Sequence, residues 1–320
     1  MKRRTFIHNS LLAGAVVSVY PYVKPGSLNL PAGKKMMKRI LGRTGEKLSI
    51  VGFGGIVVKD TEQSVANNYV SEAVEAGINY FDVAPSYGNA EEMLGPALEP
   101  FRKDSFLACK THKYDAVGAE KELHESMKKL RTDYFDLYQL HALSSVEDVE
   151  KCFGPGGAME VFLKAKESGK VRFLGFSAHS DKAALLAMKN YDFDTILFPL
   201  NYVCWHQGNF GPEVVKMAKE KEMGILALKG LAHTLIPENE NRPYERLWYV
   251  PIEEDNLGHM SLRYTLSLGT TAAIPPGDFR FFKKGLEIGL NYTDITEDEK
   301  RKLVEMSEGI IPLFESDLKA

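Results

Sequence analysis

Cysteine is scarce: three residues in 320, at positions 109, 152 and 204. They form no C-x-x-C pair, which argues against a disulfide scaffold, a zinc ribbon or an iron–sulfur cluster. An excess of positive charge is also missing. Forty Lys and Arg against 43 Asp and Glu leave a formal charge of −3, the wrong sign for a chain held to nucleic acid by phosphate contacts. No apolar run reaches the roughly 20 residues of a membrane-spanning helix; LLAGAVVSV at 11–19 is too short. No G-x-G-x-x-G stands at a strand-to-helix turn, and Gly52, Gly54 and Gly55 are wrongly spaced for a dinucleotide fingerprint. What is present, 44% hydrophobic and 26% charged residues, is ordinary globular composition and excludes disorder and fibrous repeats.

The first residues read as an address. A basic start, Lys2-Arg3-Arg4, precedes the apolar run, which is the layout of an export signal. Arg3-Arg4-x-Phe6-Ile7 resembles the twin-arginine signal of bacteria. That resemblance implies a periplasmic location, with the folded-protein export machinery as a partner; the alternative is a cytoplasmic chain whose basic N-terminus is followed by a stray apolar stretch. No A-x-A site follows to fix a cleavage point. Residues 24–36 hold two Pro and two Gly and read as a linker. Residues 1–36 are therefore a signal segment and linker, and 37–320 are one folded domain.

From residue 38 onward, apolar runs rich in Val, Ile, Phe and Leu alternate with helical-period segments. Strands are expected at Ile50–Phe53, Tyr80–Asp82, Phe106–Lys110, Phe135–His141, Val171–Ser177, Thr195–Pro199, Gly224–Lys229 and Ala272–Ile274. Helices are expected at 61–76, from Asn89 onward, and at 118–130, 157–168, 181–190, 212–222, 256–268 and 297–314. Asn89 with Glu92, and Thr296 with Glu299, have capping-box spacing. Near-continuous apolar strands between amphipathic helices mean a parallel sheet covered by helices. Eight units in about 280 residues favour a closed (β/α)8 TIM barrel over an open sheet. Arg43-Thr44-Gly45 reads as the turn of an N-terminal β-hairpin that plugs the barrel, and 297–314 as a C-terminal extra helix. Residues 230–255, holding Tyr244, Trp248 and Tyr249, follow the seventh strand and lie at the end where barrel active sites form.

Strand ends converge on one opening. Asp82 ends the second strand, Tyr87 follows in the loop VAPSYG, Lys110 ends the third strand and His141 the fourth. Each has an ordinary explanation alone: a cap, a packed loop aromatic, a solvated strand end, a satisfied histidine. Together their chemistry is specific. A free tyrosine, with a pKa of about 10, is a poor proton donor near neutrality. A nearby cation favours its phenolate, a carboxylate holds that cation in place, and an imidazole can orient a carbonyl. Such a set protonates a carbonyl oxygen as hydride reaches its carbon. No side chain donates hydride, so a nicotinamide cofactor is required.

These stretches resemble the aldo-keto reductase family: LGRTGEKLSIVGFGG (41–55), NYFDVAPSYGNAEEMLGPAL (79–98), Lys110, DYFDLYQLH (133–141) and AMEVFLKAKESGKVRFLGFSAHS (158–180), in family order over roughly 38–314. The resemblance implies a (β/α)8 barrel, bound NADP(H) or NAD(H), and reversible reduction of aldehydes or ketones, sugars among them. It assigns Asp82, Tyr87, Lys110 and His141 to the family's catalytic tetrad. On the cofactor side it points to Ser177, to Lys229-Gly230 after the seventh strand, and to Arg280, with Lys283 or Lys284 as further sources of charge. That side departs from the pattern. Ala178 takes an Asn position with His179 next, Leu197 takes a Gln position four residues before Asn201, and Pro276-Gly277 replace a Lys-Ser pair. An exported reductase also needs its cofactor to leave with it, which implies a tightly held nicotinamide. The competing reading is a non-catalytic binding or regulatory protein on the same fold. A metal-dependent barrel hydrolase lacks converging ligands, since only His141, with His179 near, is placed for one.

Overall fold

The computed structural model of this protein describes residues 34–238, 242 and 244–318. The expected export signal lies outside the described residues. In chain order the elements are β1 (Lys38–Ile40), β2 (Lys47–Ser49), β3 (Phe53–Gly54), α1 (Gln63–Glu75), β4 (Tyr80–Asp82), α2 (Ala90–Leu98), β5 (Phe106–Thr111), α3 (Ala116–Lys129), β6 (Phe135–Leu143), α4 (Val146–Phe153) and α5 (Ala158–Glu167). They continue with β7 (Val171–Ala178), α6 (Asp181–Asn190), β8 (Thr195–Pro199), α7 (Tyr202–His206), α8 (Pro212–Glu220), β9 (Gly224–Leu228), β10 (Ala232–Leu235), β11 (Tyr249–Pro251), α9 (Asp255–Ser267), β12 (Ala272–Ile274), α10 (Phe279–Leu290) and α11 (Glu297–Ser307).

Eight of the strands pair in the order β3-β4-β5-β6-β7-β8-β9-β12, every neighbour parallel. The ring closes where Val51 bridges Ala273 of β12. There the Ala273 N–H donates to the Ile50 carbonyl, and the Gly52 N–H donates to that of Ala273. The fold is the expected (β/α)8 barrel.

Period-two alternation fills its interior. Tyr80, Phe106, Ala108, Leu137, Leu197, Leu226, Ala272 and Ile274 form one buried cluster with Leu41 and Leu48. The last two come from the β1–β2 hairpin, so the hairpin does plug the barrel. Each leucine is fully buried, worth about 2 kcal/mol of transferred apolar surface. The turn allows this only with glycine: Gly42 has φ 48°, and a Cβ there would lie 2.3 Å from the Gly224 nitrogen. Residues on the outer strand faces pack instead against helix positions such as Val70 and Ala73 of α1 and Phe162 of α5.

Some expectations shift. The first barrel strand is centred later, pairing at Phe53–Gly54. Asn89 precedes α2 without a side-chain cap, because its Oδ1 accepts instead from the Asp60 N–H at 2.8 Å. The last helix ends at Ser307, not 314. Gly309 turns the chain at φ 73°, and the tail returns so that the Ser316 N–H donates to the Gly208 carbonyl. Residues 230–255 contain an antiparallel hairpin, β10–β11, that the sequence pattern did not show. Helices α4 and α7 were likewise missed. The Thr296–Glu299 capping box forms as expected.

Candidate active site

The mouth of the barrel at the strand C-termini holds a cavity of about 270 Å³. Asp82, Tyr87, Lys110, His141 and Ser177 line it, with His179, Leu197, Leu228, Lys229, Arg246, Trp248, Tyr249 and the 274–277 turn. Sheet register explains the convergence. Asp82 pairs with Ala108, Ala108 with Leu137, and Lys110 with Gln139. Ala108 and Leu137 belong to the inner cluster, and side chains alternate faces, so Asp82, Lys110, Gln139 and His141 all point inward. Tyr87 arrives from a tight loop whose N–H donates to the Ala84 carbonyl and whose carbonyl receives the Ala90 N–H.

Lys110 is fully buried and forms a short ion pair with Asp82 Oδ1. Its Nζ also lies 3.3 Å from the Val83 carbonyl and 3.5 Å from the Tyr87 hydroxyl. Asp82 Oδ2 accepts from Gln139 Nε2 at 3.2 Å and from the Tyr80 hydroxyl at 3.3 Å. The carboxylate is thus held by three donors, two of them absent from the expected tetrad. Burial alone would depress the Lys110 ammonium, but Asp82 overcomes it and the lysine stays charged well into the alkaline range. For Tyr87 the balance differs from the simple expectation of an acidified phenol. Burial raises its pKa first, Lys110 pulls it down, Asp82 raises it again, and the net direction is up. Tyr87 therefore rests protonated, with a cation beside it ready to stabilise the phenolate.

Burial and the Lys110 charge, with His112 and His179 adding to them, push His141 well below the usual histidine range. It is a neutral imidazole, which carries one N–H to donate. Its ring stands 5.9 Å from the Tyr87 ring, nearly perpendicular, and stacks 3.8 Å from His112. Sequence reasoning missed His112, which sits just beyond β5 with no motif to mark it. Ala142, next to His141, has φ 58°, a conformation rare for a residue with a side chain. The Tyr114 hydroxyl donates to the His141 carbonyl, and the Ala142 N–H donates to Ser177 Oγ.

The cofactor-side residues divide. Ser177 lines the cavity, and because its oxygen already accepts from Ala142, its own proton remains for a ligand. Leu197 and Leu228 present apolar walls. This donor set fits a flat nicotinamide ring with its carboxamide. Lys229 also faces the cavity. Gly230 is buried behind it, its carbonyl taken by Ser261. Asn201 is a structural cap: Oδ1 accepts from the Cys204 N–H and Nδ2 donates to the Lys229 carbonyl. Arg280 is not among the cavity-lining residues. Its guanidinium grips Asp278 through Nε and Nη2, and Lys284 pairs with Asp255 at 2.8 Å. Of the aromatic residues of 230–255, Trp248 and Tyr249 line the cavity, while Tyr244 packs edge-on against Phe281 with ring centroids 5.0 Å apart.

Comparison with known proteins points the same way. The chain is 33% identical over 157 residues to the uncharacterized oxidoreductase YqkF of Bacillus subtilis, 45% of this chain and 49% of that protein. It is 29% identical over 223 residues to L-galactose dehydrogenase of Arabidopsis thaliana, 64% of this chain and 68% of that one. The match thus spans about half the length of the first relative. The holo form of aldo-keto reductase AKR11C1 from Bacillus halodurans superposes with a TM-score of 0.68 at 22% identity, over 87% of this chain and 98% of that one. A profile of the aldo/keto reductase family matches residues 51–248. By that match this chain belongs to the aldo/keto reductase family.

Proposed function

We propose that this chain is a carbonyl reductase acting reversibly on an aldehyde or ketone, with Tyr87 as the proton donor. The observation that carries the reading is the Tyr87 hydroxyl 3.5 Å from a lysine ammonium that is itself paired with Asp82. When bound, NADP(H) or NAD(H) supplies hydride to the carbonyl carbon. The protein's part is the proton. Tyr87 gives its hydroxyl proton to the carbonyl oxygen, and Lys110 stabilises the phenolate left behind. Asp82 holds Lys110 in place, and neutral His141 donates a hydrogen bond that orients the same oxygen. In the alcohol-oxidising direction the phenolate takes the proton back. Ser177 is the residue best placed to hold the nicotinamide carboxamide. With Arg280 engaged by Asp278 and Lys284 by Asp255, Lys283 is the remaining candidate for a 2′-phosphate, and both cofactors stay in the reading.

Residues 1–36 are read as a twin-arginine-type signal and linker that deliver the folded 37–320 domain to the periplasm with its cofactor already bound. A nicotinamide nucleotide that co-purifies from the periplasmic fraction supports this; protein without extractable nucleotide counts against it. Similarity to an L-galactose dehydrogenase makes sugars a reasonable first substrate panel. The enzymatic reading is tested by following cofactor absorbance at 340 nm. Tyr87→Phe should lower kcat about 10²–10⁴-fold with circular dichroism unchanged. Equal turnover by both proteins would favour the second reading, a non-catalytic binding protein. That alternative draws its support from the engaged Arg280 and from Ala178 and Leu197 standing where the family pattern has Asn and Gln.

A further inference from the structure

Charge inside the cavity does not balance. Among the described residues that line it, Asp82 is the one carboxylate, and Lys110 neutralises it. Two cations are left over. Arg246 donates to the carbonyl oxygens of Val57 and Lys59, and Asp278 lies within its electrostatic reach. Lys229 has neither resource. Among the described residues its ammonium has no hydrogen-bond or ion-pair partner. Its Nζ lies 4.3 Å from the Tyr249 ring centroid and 4.8 Å from that of Trp248, contacts that orient a cation but leave its charge uncompensated.

The neighbouring titratable groups do not supply an anion. Burial holds the Cys204 thiol up at about 11, and the His179 imidazole is pushed down to about 4. Burial raises the Tyr249 hydroxyl as well. Lys229 is half-buried, and its unpaired charge faces the cavity, where an entering anion would neutralise it. The backbone also holds Lys229 in place against its own preference. Its φ is 71°, a strained value for a residue with a side chain. Its carbonyl is pinned by Asn201 Nδ2 at 3.3 Å and by the Ala232 N–H at 2.9 Å. Strain retained at a cavity wall aims a side chain that a relaxed backbone would direct elsewhere.

We propose that Lys229 is the specificity residue of the substrate pocket, binding the carboxylate of a carbonyl substrate whose reacting oxygen lies at Tyr87. The substrate class is then an oxo acid or an aldehyde acid, sugar acids included. This rests on the reductase reading above. The chamber's size favours substrate as the source of the anion. About 270 Å³ accommodates one ring and a small molecule, near the lower end of ligand pockets. The nicotinamide end of the cofactor carries no negative charge, so an anion sharing this chamber belongs to the other reactant.

The test compares two aldehydes of equal length, 4-oxobutanoate and butanal, at saturating cofactor, with wild type and Lys229→Met. Wild type should favour 4-oxobutanoate in kcat/KM by about 10–100-fold, the range for a hydrogen bond to a charged group. In Lys229→Met that ratio should collapse towards one. A ratio that survives the substitution overturns the proposal. So does a survival accompanied by weaker NADPH or NADH binding in a fluorescence titration, which would assign the cation to a cofactor phosphate. If wild type turns over neither these aldehydes nor the sugar panel, the reductase reading fails by itself, and a thermal shift still decides the anion site. Succinate raising the Tm of wild type but not of Lys229→Met, with succinamide raising neither, supports it; equal responses overturn it.

Discussion

Asp82, Lys110 and Tyr87 work as a unit, and single substitutions should reveal the coupling. Lys110→Met leaves the Asp82 charge buried with only Gln139 and Tyr80 as donors, which should cost about 3–5 kcal/mol in chemical denaturation. The double variant Lys110→Met/Asp82→Asn should regain most of that stability and none of the activity; full additivity of the two changes would refute the coupling. Histidine burial sets the acid limit. His179 has its pKa at about 4 in the folded chain against 6.5 for the free side chain, so between those values the unfolded chain binds more protons. Stability is complete above pH 6.5 and is lost as pH falls towards 4, by up to about 3 kcal/mol, and His141 acts in the same direction. Urea midpoints at pH 7 and 4.5 should converge partly in His179→Asn. Lys229 carries the opposite liability. Burial lowers it to about 8, so at pH 7 its charge is held at a cost, and Lys229→Met should stabilise the ligand-free protein by roughly 2 kcal/mol. That Asp82, Lys110 and His141 face one mouth was legible from strand parity, and that Tyr87 joins them was legible only from the motif in its loop. Gln139 and His112 were not, because nothing local distinguishes an inward strand glutamine or a loop histidine from ordinary ones.

Elements were legible where their determinants lie within a few residues. The Thr296–Glu299 box forms because cap and acceptor are three apart. Thr296→Ala should lower stability by about 1 kcal/mol, read as a small fall in Tm. Arg263, bidentate on Glu299, keeps the helix docked. Asn89 shows the opposite case. Its sequence spacing suits a cap, but a tertiary donor, the Asp60 N–H, captures its side chain. The β10–β11 hairpin escaped notice for a related reason. Its strands have four and three residues, too short for a period to register, and they pair across a long connection. The β1–β2 plug depends on a close backbone approach. Gly42→Ala would drive a Cβ into Gly224 and Glu222 and should cost several kcal/mol, or prevent the hairpin from docking, visible as lost protection of the Leu41 and Leu48 amides in hydrogen exchange.

At the scale of the whole molecule, the end of the barrel opposite the cavity is tied by one buried carboxylate. Asp136 accepts from Arg102 at 2.9 Å, from Arg172 at 2.6 Å and from the Leu107 N–H at 2.9 Å, and Arg172 also pairs with Glu46 of the hairpin. Removing the shared acceptor in Asp136→Ala leaves the buried Arg102 guanidinium and the more exposed Arg172 without their common partner, and should cost about 2–3 kcal/mol while leaving the cavity 340 nm assay detectable at low temperature. A Tm equal to that of wild type would contradict the network's role. The alternation of eight apolar strands with amphipathic helices determined the barrel by itself, since period and element order are one-dimensional facts. It also determined that an acid, an amine and an imidazole would share one mouth, although β5 and β6 run on past Lys110 and His141 to Thr111 and Leu143. Tertiary structure alone decided which charges find partners. Arg280 met Asp278, Asp82 met Lys110, and Lys229 met only aromatic faces, because pairing depends on distances between residues that are far apart along the chain.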